Sequence, residues 1–209
     1  MQLFCFAVDS VQARMSDHLL ITDLHCSQIQ GLVAGAQLPV LDSEQQGNPL
    51  EWISRGLQCR RAKGYPPRVL HLIAHGRPGG FRIADQWINS EVLKAHVAGL
   101  AHWNVEAIVL WSCHVGADAG FVALLEELSG ARVLSSVDWL GRDGKNEQLQ
   151  LGAWQLSDLV DPSAWPAQFR LEDLKDEGSE SSEPEPAAEA EADDPAPEAS
   201  EQDDSESLD

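Results

Sequence analysis

Residues 69–76 read VLHLIAHG, and residues 107–116 read AIVLWSCHVG. Both stretches begin as short apolar runs rich in β-branched residues and both end at glycine, which is typical of strands buried on both faces of a parallel sheet. Chemistry collects at the ends of such strands, because side chains there face a crevice. His75 ends one run and Cys113 the other. We therefore expect them to be neighbours, as a cysteine nucleophile and a histidine acid/base must be.

Strand and helix signals alternate on either side of these two runs. Helices are predicted at Cys26–Ala34, from Pro49 (capped by Asn48) to about Lys63, at Glu91–Leu100 and at Gly116–Ser129. Further strands are predicted at His18–Thr22, Gln37–Leu41, Arg132–Ser136 and Gln148–Leu156, with a small hairpin at Phe81–Ile83 and Gln86–Ile88 and an extra edge strand at Leu3–Val8. This alternation predicts an α/β fold, a three-layer sandwich around a mostly parallel sheet.

Charge and composition divide the chain into three parts. Residues 172–209 hold 17 of the 34 acidic residues and one of the 14 basic ones, which places −16 of the net charge of −20 there. This tail is rich in Glu, Asp, Ser, Pro and Ala, so we expect it to be disordered. We assign 1–17 to an N-terminal extension, 18–171 to one α/β domain and 172–209 to the tail. The mildly acidic domain predicts no nucleic-acid partner.

The four cysteines show neither CxxC spacing nor the framework of a small disulfide-rich secreted domain. Reduced thiols and a cytoplasmic location are the default expectation, since the apolar start lacks the basic leader of a signal peptide. Export by a route without such a signal stays open. No run approaches membrane-spanning length, so no membrane partner is predicted. No phosphate-binding glycine loop is present, and we predict no cofactor.

Several residues in the two runs have both a chemical and a purely structural interpretation. A helix starting near Gly116 would aim its N-terminus at the Cys113 sulfur and lower its pKa, and the backbone N–H groups of Gly76 and Cys113 could form an oxyanion hole. A buried cysteine at a strand end is also often just a small apolar residue. His71 fits a core histidine better than a ligand. A zinc site from His75, Cys113 and a further histidine lacks the usual local spacing, so we predict no metal.

An ordered series of motifs then carries a resemblance to a known family. The series comprises residues 70–79 (LHLIAHGRPG), 87–89 (WIN), 110–116 (LWSCHVG), 120–122 (GFV), 128–136 (LSGARVLSS), Gly141 and 151–156 (LGAWQL). It resembles the caspase-like (clan CD) superfamily of cysteine peptidases. Within it, the chain is most similar to an uncharacterised caspase-like domain (domain of unknown function 4347) of large bacterial, often cyanobacterial, surface proteins. The departure is His114, where that pattern has a small or acidic residue.

The resemblance implies a function and a set of site residues. It implies the flavodoxin-like sheet order of caspases and a cysteine endopeptidase whose partner is a protein or peptide substrate. His75 and Cys113 would be catalytic, and Gly76 and Cys113 would form the oxyanion hole. Substrate would be bound by the loop after the fifth strand, which contains Ser136, Asp138 and Trp139. The alternative is a catalytically inactive caspase-like interaction module.

The charge of the predicted substrate-binding loop suggests a specificity. A partly buried carboxylate at Asp138 would be stabilised by a cation, so we expect Arg or Lys before the cleaved bond. Asp138 could equally just cap the turn toward Gly141. A preference for acidic residues would instead need basic groups such as Arg77 and Arg82.

Overall fold

Five parallel strands form the central sheet of the computed structural model, which describes residues 17–24, 26–42, 47–143 and 146–171. The strands are β1 (His18–Thr22), β2 (Val40–Asp42), β3 (Val69–Ile73), β7 (Ala107–Trp111) and β8 (Arg132–Ser135), in the spatial order β2-β1-β3-β7-β8. The predicted α/β fold with a central parallel sheet is thus confirmed. The predicted edge strand at Leu3–Val8 and the acidic tail lie outside the described residues.

Helices and irregular segments cover both faces of the sheet. The helices are α1 (Ser27–Val33), α2 (Pro49–Ala62), α3 (Ser90–Ala95), α4 (Val97–Leu100) and α5 (Ala119–Ser129), and short 3₁₀ turns span Val115–Ala117, Leu156–Asp158 and Pro162–Ala164. Alternate residues of the strands belong to two separate apolar clusters, one containing α2 to α5 and the other containing α1 and the chain after β8. Burial on both faces explains why the central strands are continuous apolar runs.

The predicted helix boundaries follow local capping chemistry. The Asn48 side chain accepts a hydrogen bond from the Leu50 N–H at 2.8 Å, and Pro49 is the first residue of α2. Asn89 caps α3 in the same way. The helix predicted over Glu91–Leu100 is interrupted at His96, whose φ of −118° is not helical. Its ring Nδ1 lies 2.9 Å from the Val92 carbonyl oxygen, beside that break.

The remaining strands form three small sheets outside the central one. They are β4 (His75–Arg77), β5 (Gly80–Ile83) and β6 (Gln86–Asn89) in one sheet, β9 (Gly141–Asp143), β10 (Asn146–Gln148) and β13 (Phe169–Arg170) in a second, and β11 (Gln150–Leu151) and β12 (Trp154–Gln155) in a third. The final parallel strand predicted at Gln148–Leu156 is therefore wrong. Gly152 has a φ of +60°, and there the chain reverses so that Leu151 pairs with Trp154 in an antiparallel hairpin.

His71 is a core residue, as predicted, but its partners are other side chains. Its ring stacks on His18 and lies edge-on to Trp154. The Trp111 Nε1–H donates to His71 Nδ1 at 3.3 Å, and His71 Nε2 lies 2.9 Å from His18 Nδ1. A neutral ring that accepts at Nδ1 carries its proton on Nε2, so His71 donates to His18. Burial, assisted by neighbouring His18, lowers the pKa of His71 to about 3.

We expect this buried histidine to make the fold acid-sensitive. The unfolded chain binds a proton at His71 near pH 6.5, whereas the folded chain binds it only near pH 3, so stability falls as the pH drops below 6.5. Each pH unit in that window costs about 1.4 kcal/mol. Urea titrations at pH 6.5 and 4.5 give the unfolding free energy that each protein loses between the two pH values. This loss should be about 2 to 3 kcal/mol larger for the wild-type chain than for His71→Gln. His102→Gln, at an exposed histidine, is the control and should match the wild type; an equal loss in His71→Gln would contradict the assignment.

Candidate active site

His75 and Cys113 lie at the carboxyl edge of the sheet, at the ends of neighbouring strands. Ile73 of β3 is in register with Trp111 of β7, and each candidate follows its strand by two residues. The Ala74 N–H still donates to the Trp111 carbonyl oxygen at 3.2 Å, which keeps the two strand ends together. Parallel pairing thus places both predicted residues at the same edge, as the two apolar runs require.

Two backbone N–H groups at this edge converge on one carbonyl oxygen. The Gly76 N–H donates to the Leu171 carbonyl at 3.1 Å, and the Cys113 N–H donates to the same oxygen at 2.8 Å. These are the two donors predicted for an oxyanion hole. We call them the amide cradle. Two convergent donors on one oxygen are the arrangement that stabilises the oxyanion of a tetrahedral intermediate.

Glycine at position 76 is required by the close approach of the two backbones. A Cβ at Gly76 would lie 2.5 Å from the Cys113 carbonyl oxygen and 2.7 Å from the Ser112 Cβ. Real side chains do not tolerate such distances to backbone. The absence of a side chain at Gly76 is therefore what lets β4 bring its N–H beside that of Cys113.

Cys113 has no exposed surface, and its sulfur is held by the backbone of Leu140. The Leu140 N–H donates to Sγ at 3.0 Å, and Sγ in turn donates to the Leu140 carbonyl oxygen at 3.4 Å. The Leu171 N–H donates to that same carbonyl oxygen at 2.9 Å. Cys113, Leu140 and Leu171 also belong to one apolar cluster. Leu171 is therefore bonded to Cys113 through the amide cradle, and both residues donate to the Leu140 carbonyl oxygen.

His75 contacts a second cysteine that sequence reasoning did not select. Its Nε2 lies 3.3 Å from the sulfur of Cys26, the partly buried residue that precedes α1. The hydrogen bond with His75 is the main cause that lowers the pKa of Cys26; burial opposes the shift, and backbone hydrogen bonds at Ile29 and Gln28 assist it. His75 itself is 4% exposed. The structure therefore brings two cysteines to the region around one histidine.

An open cavity of about 510 Å³ borders the His75–Cys26 contact. It lies at the ends of β1 and β3, where the connections leave the sheet in opposite directions, which is the usual place for a ligand in such folds. Its lining residues are Asp23, Cys26, Ser27, Ile29, His75, Arg82, Ala84 and Asp85. The Ala84 N–H donates to Asp23 Oδ2 at 3.0 Å, which ties the β5–β6 turn to the end of β1.

The family model described as Domain of unknown function (DUF4347) matches residues 19–176. The chain belongs to this family. The match spans both strand ends, the amide cradle and the segment around Leu171, so all of these are parts of the DUF4347 domain. The domain of unknown function named from the sequence motifs is thereby confirmed. Neither a curated protein nor a solved structure matches the chain.

The three predicted substrate-binding residues occupy different environments in the DUF4347 domain. Ser136 is buried, and its Oγ accepts from the Asp138 N–H at 3.1 Å. Asp138 is exposed, and its carbonyl oxygen accepts from the His114 N–H. Trp139 is partly buried, and the Arg170 guanidinium lies 5.2 Å from its ring centroid. Trp139 thus contacts the segment that fills the amide cradle.

The predicted helix after Cys113 begins later than expected. His114 has a left-handed φ of +59° and leads into a 3₁₀ turn, and α5 starts only at Ala119, capped by the Asp118 side chain. The helix start predicted near Gly116 is therefore wrong, because the left-handed residue and the 3₁₀ turn separate the strand from the helix. Trp154 lies edge-on to His18, at the amino end of β1.

Among residues 17–24, 26–42, 47–143 and 146–171, no group of three or more His, Cys, Asp or Glu side chains is placed to hold a metal ion. In the described part of the chain, no helix has the length and apolar character needed to cross a bilayer.

Proposed function

We propose that the protein is a caspase-like cysteine peptidase in which Cys113 is the nucleophile and His75 the acid/base. The observation that supports this most strongly is the amide cradle. A carbonyl held by the N–H of Cys113 lies beside the side chain of that same residue, where an attacking sulfur must be. The motif series that resembles caspase-like peptidases supports the same assignment.

The reaction follows from these positions. The Cys113 thiol gives its proton to His75, and the sulfur attacks the carbonyl carbon of the bound peptide. Negative charge that develops on the carbonyl oxygen is stabilised by the Gly76 and Cys113 N–H groups. The carbon–nitrogen bond then breaks, and the departing amine takes the proton from His75. Water, losing a proton to His75, hydrolyses the thioester and returns the Cys113 thiol.

Cys26 acts in this scheme as a positioning residue for His75. Its sulfur contacts Nε2, so in this scheme Nδ1 is the nitrogen that exchanges a proton with Cys113. A base oriented by a third group is a recurring feature of nucleophilic catalysis. The competing assignment makes Cys26 itself the nucleophile, and it rests on the 3.3 Å contact and on the lowered pKa of Cys26.

The geometry also suggests a substrate preference different from the one drawn from the sequence. The residue whose carbonyl fills the amide cradle is Leu171, which is 2% exposed. Asp138, on which the basic preference depended, is exposed. We therefore expect leucine rather than Arg or Lys before the cleaved bond.

Covalent labelling with a peptide ketone tests the function and identifies the nucleophile. A Gln-Phe-Arg-Leu acyloxymethyl ketone should alkylate Cys113, as located by peptide mapping. A small reagent such as iodoacetamide should instead modify Cys26 before Cys113, because Cys26 is partly exposed and its pKa is lowered whereas Cys113 is buried. Phe169→Ser removes the 5.8 Å ring contact with Trp165. It should loosen residues 169–171, which occupy the amide cradle, and speed ketone labelling several-fold. If the ketone labels Cys26 and not Cys113, then Cys26 is the nucleophile. No ketone labelling of either cysteine would favour the non-catalytic interaction module.

A further inference from the structure

We infer that the chain is its own substrate and cleaves the bond between Leu171 and Glu172 within the same molecule. This inference rests on the proposed peptidase function and adds to it a particular scissile bond. It follows from the way in which residues 169–171 lie across the candidate site: as an added strand, with a carbonyl in the amide cradle, and with each side chain in contact with the domain.

Residues 169–171 are bound as an antiparallel strand. Phe169 is in register with Arg142 and Arg170 with Gly141, as β13 pairs with β9. The next backbone bond joins the Leu171 N–H to the Leu140 carbonyl oxygen at 2.9 Å. Addition of an extended peptide to a strand edge is a common mode of peptide recognition, in which main-chain bonds supply affinity and side-chain pockets supply specificity.

Gly141 makes this close pairing possible. Its φ of +153° is unfavourable for other residues, and a Cβ there would overlap the Phe169 carbonyl oxygen. The side of β9 opposite β10 is therefore shaped to admit another backbone. The domain thus has two glycines, Gly76 at the amide cradle and Gly141 in β9, whose lack of a side chain makes room for residues 169–171.

Each side chain of the segment has a contact on the domain. Phe169 lies edge-to-face with Trp165. Arg170 forms an ion pair with Asp143 at 2.9 Å, besides its position over the Trp139 ring. Leu171 is buried in the apolar cluster that contains Cys113 and Leu140. Main-chain and side-chain contacts thus agree on one register, and that register places the Leu171 carbonyl in the cradle.

The chemistry is the peptidase reaction applied to this carbonyl. Cys113 Sγ attacks the Leu171 carbonyl carbon after its proton passes to His75. The bond to the Glu172 nitrogen breaks, and that nitrogen leaves as an amine with the proton from His75. Water then hydrolyses the Leu171 thioester, giving a carboxylate at Leu171 and a free thiol. Holding the reacting carbonyl in place beforehand removes the entropy cost of a bimolecular encounter.

Cleavage at this bond would change the charge of the protein. Residues 172–209 carry 17 of its 34 acidic residues, so their release removes −16 of the net charge of −20. The remaining chain would end at Leu171, beside β9 and the amide cradle. Dissociation of this new terminus would then free β9 and the amide cradle for other peptides.

Intact mass spectrometry of the purified 209-residue chain over time tests the inference. We expect fragments 1–171 and 172–209 to appear with a rate constant that is unchanged over a 100-fold range of protein concentration. Cys113→Ala should stay intact, and Cys59→Ala, at an exposed cysteine of α2, should be cut like the wild type. Glu172→Pro should also stay intact, because it alters the leaving nitrogen while residues 169–171 are unchanged. Leu171→Asp should slow cleavage at least tenfold, whereas Leu174→Asp, its matched control, should not.

A second assay separates failure of this inference from failure of the proposed function. Wild-type and Phe169→Ser proteins are given Gln-Phe-Arg-Leu linked to a fluorogenic amine. Cys113-dependent hydrolysis by a chain that itself stays intact would overturn self-cleavage and leave the peptidase standing, with residues 169–171 as an uncut occupant. A cleavage rate constant that rises with protein concentration would overturn the intramolecular step. If neither peptide hydrolysis nor self-cleavage is detected, both proposals are overturned.

Discussion

Replacing Cys113 with alanine is expected to lower kcat/KM for the leucyl peptide by at least about 10³-fold, because covalent catalysis is lost while the amide cradle stays. The cost in stability should be about 1 to 2 kcal/mol, since a small buried group and its bonds to Leu140 are removed. Steady-state hydrolysis measures kcat/KM of each variant, and a melting curve measures its stability. Cys59→Ala is the matched control, at an exposed thiol, and should leave both unchanged.

Substitutions at Cys26 decide between its two possible roles. If Cys26 orients His75, Cys26→Ser keeps a hydrogen-bonding group on Nε2 and should retain activity, whereas Cys26→Ala should lose about tenfold, in line with the loss of a supporting interaction. If Cys26 is the nucleophile, both variants should be inactive and Cys113→Ala should be active. The serine variant is the informative one, because it restores the contact but not the thiol.

Gly76→Ala is the second substitution from which we expect a large effect. The new Cβ would lie 2.5 Å from the Cys113 carbonyl oxygen, so β4 must move away from the strand end that carries Cys113. Loss of one oxyanion donor typically lowers kcat by about 10² to 10³-fold. Overpacking should also cost about 1 to 3 kcal/mol in stability. We expect kcat to fall by that factor and self-cleavage to slow by a similar one.

A matched glycine substitution controls for the added methyl group. Gly31 lies in α1, and a Cβ there would meet nothing within 4 Å. Gly31→Ala should keep full activity and gain about 0.5 to 1 kcal/mol in stability from improved helix propensity. Unchanged kcat in a folded Gly76→Ala protein would contradict the role of the cradle, whatever the behaviour of Gly31→Ala.

Much of the fold could be predicted from the sequence because its signals are local. A continuous apolar run shows that a strand is buried on both faces, and Asn48 before Pro49 marks a helix start through bonds to adjacent residues. The position of His75 and Cys113 at one edge follows from the same patterns, since neighbouring parallel strands end together. Where a local signal was missed, at Gly152, a left-handed glycine reversed a run that was predicted as one strand.

The contacts that complete the candidate site depend instead on tertiary structure. Cys26 and His75 are 49 residues apart, and they meet because β1 and β3 are neighbours in the sheet although β2 lies between them in sequence. Leu171 reaches the amide cradle because β13 pairs with β9 in one particular register. Backbone donors and acceptors carry no residue identity, so no sequence pattern states which carbonyl will fill a given pair of N–H groups. Local sequence is enough to predict the central strands, the helix caps and the meeting of His75 and Cys113 at one sheet edge, because these depend on neighbouring residues. Strand order and register are tertiary, and they set which cysteine contacts His75 and which carbonyl accepts from the Cys113 N–H.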